Sequence, residues 1–72
     1  MEIIIEVPNG TLEVRTAQRA DRRWDCEYRL VTNHSASAWE SASMSEGFVS
    51  CDTALSAGLL LGQQYAQNHK RG

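Results

Sequence analysis

The chain has 72 residues, 42% of them hydrophobic, and a formal net charge of −2. That length suits one domain and leaves little volume for a deep catalytic cleft. The acidic balance argues against a dedicated nucleic-acid binder or an anchor on an anionic membrane, and no run approaches the roughly 18 apolar residues of a membrane span.

Met1 to Glu6 contain neither a basic region nor a long apolar core, so no secretory signal is expected and the cytoplasm is the expected location. Cys26 and Cys51 are the only cysteines and are expected to be free thiols. Cys26 falls in an alternating segment, where a small buried apolar role suits it.

The first element is a hairpin. Ile3, Ile5 and Val7 alternate with Glu2, Ile4 and Glu6, and Leu12 and Val14 alternate with Thr11, Glu13 and Arg15. Between the runs stands Pro8-Asn9-Gly10. Asn-Gly favours a two-residue type I′ turn, in which both central residues need positive φ. With Asn9 and Gly10 at the tip, Pro8 faces Thr11, Val7 faces Leu12, Ile5 faces Val14 and Ile3 faces Thr16. Glu6 then opposes Glu13 on the wet face.

The second strand fades through Thr16 to Ala20, and Asp21-Arg22-Arg23 forms a turn. Trp24, Cys26, Tyr28 and Leu30 alternate with Asp25, Glu27 and Arg29, which predicts a third strand from Trp24 to about Thr32. Residues 33–37 are a turn by composition. Ala38 to about Met44 reads as a short edge strand, or else as an irregular loop pinned by Trp39 and Phe48. Ser45-Glu46-Gly47 reads as a turn, and Phe48-Val49 leads into a helix.

That helix begins after Ser50 or Asp52, both good N-caps, and runs to about Asn68, with Lys70 and Arg71 near its negative end. Ala54, Gly58, Gly62 and Ala66 recur every four residues and form one ridge of small side chains. Each mid-helix glycine costs about 1 kcal/mol relative to alanine, so close approach of another backbone must offset it. Two partners fit: the protein's own sheet, or the helix of a second copy in a homodimer. The whole chain, 1–72, is therefore expected to be one soluble α+β domain. Its architecture is a three- to four-stranded antiparallel meander with one C-terminal helix packed on one face.

No catalytic constellation is evident. There is no G-x-S-x-G elbow and no glycine-rich phosphate loop. His34 in a serine-rich turn and His69 at the helix end read as solvated polar residues. Cys26, Cys51, His34 and His69 lack zinc-ligand spacing, so neither metal nor cofactor is expected. Arg15, Arg19, Arg22, Arg23 and Arg29 gather on the second and third strands. They read either as a solvated face with cross-strand ion pairs or as an anion-binding face, for which Arg19, Arg22 and Arg23 are the residues to test. Trp39 reads as an interface anchor or as a lid on the core.

Two resemblances follow from these residues. A meander followed by Gly47-Phe48-Val49-Ser50-x-x-x-Ala54-Leu55 and a C-terminal helix resembles short bacterial proteins common in Burkholderia and related proteobacteria, a group with no assigned activity. The strand order also resembles a double-stranded-RNA-binding domain lacking its first helix, and equally the β-β-β-α arm-binding domain of phage-type integrases. Ala54 fits the packing position of the RNA-binding helix. The phosphate-contacting lysines of that family have no counterpart in Ser50–Ser56, and Asp52 has the opposite sign. That resemblance implies a fold and carries no phosphate contact with it.

Three functions compete on this reading. The first is a non-catalytic protein-interaction module with Trp39, Gly58 and Gly62 as interface residues, its partner another protein or a second copy. The second is a nucleic-acid-binding accessory domain using the arginine face. The third is a small enzyme or ligand carrier.

Overall fold

A computed structural model of the chain describes residues 1–43 and 45–68. It is an α+β fold: β1 (Glu2–Val7), β2 (Gly10–Gln18), β3 (Trp24–Val31) and β4 (Glu40–Ser41) form one antiparallel sheet in chain order, and α1 (Cys51–Asn68) packs on one face. No helix among the described residues is long and apolar enough to cross a membrane. His69, read above as a solvated polar residue, and Lys70 and Arg71, read as cations near the negative helix end, lie outside the described residues.

The hairpin forms, but its register differs by two residues from the expectation. Val7 pairs with Gly10, Ile5 with Leu12, Ile3 with Val14 and Glu2 with Arg15. Proline explains the difference. Pro8 is locked near φ −65°, and Asn9 is not among the residues with positive φ, so Pro8-Asn9 form the tip and type I′ is excluded. Charge agrees with this choice. The expected register set Glu6 against Glu13, whereas the observed one sets Glu2 against Arg15 and frees Glu13 to pair with Arg29. Because side chains alternate with period two, a two-residue slip leaves every residue on its expected face. Gly10 is needed at its position: its φ is 156°, and a Cβ there would strike the Val31 carbonyl.

Leu12, Val14, Cys26 and Leu30 are the largest fully buried side chains, and Ala54 closes the core from the helix side. Burial of each leucine or valine contributes about 1.5–3 kcal/mol. The helix starts where Ser50 caps it: Ser50 Oγ accepts the Thr53 N–H at 3.1 Å. Its buried residues are Ala54, Gly58, Gly62 and Ala66, the ridge seen in the sequence. At Gly58 a Cβ would collide with Cys26 Sγ and stand 2.7 Å from Val14 Cγ1. At Gly62 it would stand 2.9 Å from both Leu12 δ-carbons. The ridge therefore seats on its own sheet. Gly58 and Gly62 are covered within one chain and are not available to a second copy, which corrects the helix-to-helix alternative.

β4 is shorter than the expected strand over 38–44, with Glu40 opposite Tyr28 and Ser41 opposite Glu27. Serine hydroxyls and isolated backbone bonds together complete the pairing along the outer edge of β3. The Cys26 N–H donates to Ser43 Oγ at 2.7 Å, and the Leu30 N–H donates to Ser37 Oγ at 3.0 Å. The Ala42 and Ser37 N–H groups donate back to the Cys26 and Leu30 carbonyls, both at 2.8 Å. Trp24 and Phe48 exchange two backbone bonds of 2.8 Å, the bridge that leads the chain into the helix.

Candidate functional site

The helix lies over β2 and β3, leaving the opposite face of the sheet free of helix. On that face Glu13 opposes Arg29 and Arg15 opposes Glu27. Arg29 Nε meets Glu13 at 2.8 Å and Arg15 Nη2 meets Glu27 at 2.7 Å. The chain after β3 folds Trp39 down over both guanidiniums, with ring centroid distances of 3.8 Å to Arg15 and 4.6 Å to Arg29. Trp39 therefore does not close the core beneath the helix. It is a half-buried ring on the open face, held by cation–π contacts of about 0.5–1 kcal/mol each. Beside it Ile4 stands 64% exposed.

The three arginines singled out for anion binding do not act as one group. Arg19 spends its guanidinium on Asp21 at 3.2 Å, Asp25 at 3.4 Å and the Ser45 carbonyl at 3.2 Å. Arg22 and Arg23 are exposed in the turn between β2 and β3, and no ion pair involves either side chain among the described residues. His34 is exposed in the turn after β3, its N–H held by Thr32 Oγ1. Among the described residues no three His, Cys, Asp or Glu side chains gather in a way that would hold a metal ion.

Cys26 is buried beneath Gly58, and desolvation pushes its thiol above its ordinary value; a hydrogen bond from the Gly58 backbone opposes part of that rise. Burial likewise raises the Tyr28 hydroxyl. The Tyr28 ring meets Tyr65 edge-on at 5.8 Å. Cys51, at the helix start, lies 3.4 Å from the buried Thr16 hydroxyl. Both cysteines are free thiols.

One feature escaped the sequence reading: the free edge of β1. Met1 and Thr16 exchange both backbone bonds, at 2.8 and 3.2 Å. Antiparallel bonding alternates, so Ile3, Ile5 and Val7 bond β2 while the peptide groups of Glu2, Ile4 and Glu6 point away from the sheet. No backbone partner meets them among the described residues. The helix stops short of this strand, leaving Ile3, Ile5 and Val7 only half-buried. Between β1 and the end of α1 runs a groove of ≈ 710 Å³, walled by Ile5, Val7 and Pro8 on one side and Gln63, Ala66 and Gln67 on the other. Asn9 closes one end, its Nδ2 donating to the Ala66 carbonyl at 3.2 Å. That carbonyl lies in the last described turn of the helix.

No family model matches the chain, and neither the curated proteins nor the solved structures gave a match.

Proposed function

We propose that this chain is a non-catalytic protein-interaction module of the bacterial cytoplasm, and that it engages its partner through the β1 edge. One observation carries the reading: the two edges of the sheet are treated differently. The β3 side is sealed by β4, by Phe48 and by two serine hydroxyls, whereas the β1 side presents a six-residue strand whose outer edge has no backbone partner among the described residues. An open edge beside a groove offers both parts of strand-addition binding: main-chain bonds for affinity and side-chain pockets for selectivity. Two free thiols suit a reducing compartment.

The test is selection of a random peptide display library on the folded protein, with Ile4→Pro as the counter-screen. Ile4 turns its N–H outward, so proline there removes an edge donor and no bond to β2. Peptides that bind the parent and lose Ile4→Pro support the reading, provided the helical circular dichroism of the variant is intact. Selected peptides that bind both equally refute it.

The second reading, nucleic-acid binding, draws on Arg22 and Arg23, exposed cations of the turn whose side chains make no ion pair among the described residues. It requires affinity for duplex or single strands that falls steeply with salt and disappears in Arg22→Glu/Arg23→Glu. Unchanged affinity in that variant ends it.

A further inference from the structure

Taking the β1 edge as the docking site proposed above, the geometry points to the class of partner: an extended segment that adds antiparallel to β1 with basic side chains at both ends of a basic–x–apolar–x–basic pattern. Three N–H donors and three carbonyl acceptors, those of Glu2, Ile4 and Glu6, define where the added strand sits. The side chains of the same three residues lie on the helix-free face, acidic, apolar and acidic in order. Residues directly opposite in a ladder interact face to face, so the complement of this row is basic, apolar and basic. The exposed Ile4 supplies the central apolar contact. The two intervening positions of the partner turn to the other face, where the half-buried Ile5 and Val7 border the groove against α1 and Ile3 continues the same half-buried row. Apolar side chains there complete the burial that the helix leaves unfinished.

The same row argues against a second copy of this chain as the occupant. Symmetric antiparallel pairing centred on Ile4 sets Glu2 against Glu6 of the other copy, twice, with no cation on the strand to separate the carboxylates. A basic segment turns both repulsions into attractions.

The experiment uses the full chain labelled with nitrogen-15 and two capped peptides, acetyl-Gly-Lys-Leu-Val-Leu-Lys-Gly-amide and its counterpart with both lysines replaced by glutamate. The expected result is saturable movement of the Glu2, Ile4 and Glu6 amide signals with the lysine peptide. Binding should weaken at least about tenfold for the glutamate peptide. The Glu2→Lys/Glu6→Lys variant should reverse that preference. Methylation of the central valine nitrogen should abolish binding by either peptide. Equal binding of both peptides at the edge overturns the charge assignment and leaves the edge reading standing. Movement of signals away from β1, or no binding of either peptide at about 1 mM, overturns both. Edge signals that move on concentrating the protein alone make a second copy the occupant and overturn the inference.

Discussion

Gly58→Ala puts two opposing effects on one atom. Alanine gains about 1 kcal/mol of helix propensity over glycine. Against that, the new Cβ collides with Cys26 Sγ and stands 2.7 Å from Val14 Cγ1. Both side chains are 1% exposed and sit on the two central strands, and valine is stiff at χ1, so neither gives way easily. Overpacking of this kind costs about 1–3 kcal/mol, and rigid neighbours place the cost at the upper end. The net expectation is a loss of about 1–2 kcal/mol, read as a Tm lower by about 4–8 °C per kcal/mol for a domain of this size. Urea unfolding followed by circular dichroism measures it directly. The second half of the test is a double-mutant cycle with Cys26→Ala, which removes the sulfur. In that background Gly58→Ala should lose most of its penalty, giving a coupling of about 1 kcal/mol or more. Gly62→Ala should be milder than Gly58→Ala, because what it meets is the far end of the Leu12 side chain. If Gly58→Ala stabilises the parent, or if the cycle shows no coupling to Cys26, the helix does not seat on the sheet as described.

Two further outcomes follow from the same packing. Burial raises the Cys26 thiol in the folded state, so the unfolded chain ionises first as pH rises; stability is full below the ordinary thiol value and declines above it, by at most about 1.4 kcal/mol per pH unit from this group. Urea midpoints from pH 7 to 10 should fall more gently in Cys26→Ala, and an alkylating reagent should label Cys51 well before Cys26; equal labelling rates of the folded protein contradict the burial. Gly10→Ala forces a side chain into a φ of 156° and against the Val31 carbonyl, so it should lose about 2 kcal/mol or more in the same denaturation assay, and a neutral result rejects the observed turn.

Much of this architecture was legible in the sequence because alternation is insensitive to the errors made in reading it. The hairpin turn was misplaced, yet Leu12, Val14 and Cys26 still fell on the buried face, since a slip of two residues preserves sidedness. Asn-Gly alone points to a tip one residue beyond the observed one, because the pair carries no trace of the restriction that Pro8 imposes. The ridge of Ala54, Gly58, Gly62 and Ala66 was plain, but a seam of small residues does not say which backbone lies against it; the sulfur of Cys26 and the methyls of Val14 and Leu12 answered that. Serine pairing left no periodic signature at all. Ser37 and Ser43 stand in for strand peptide groups through their hydroxyls, and composition registered them only as turn and loop. The free edge was hidden for a related reason. Side-chain alternation shows which face a residue occupies, whereas the direction of its peptide bonds depends on which cross-strand pairs exchange both hydrogen bonds.

The serine-sealed border of β3 has a consequence for association at high concentration. Stacking chains edge to edge into a growing fibre requires that each unit both accept a neighbour and offer a fresh border to the next. Here one border is already satisfied by Ser37, Ser43, Ala42 and Phe48 of the same chain. Among the described residues only the β1 side offers a long run of outward peptide groups, so head-to-tail stacking of this chain through both borders is disfavoured.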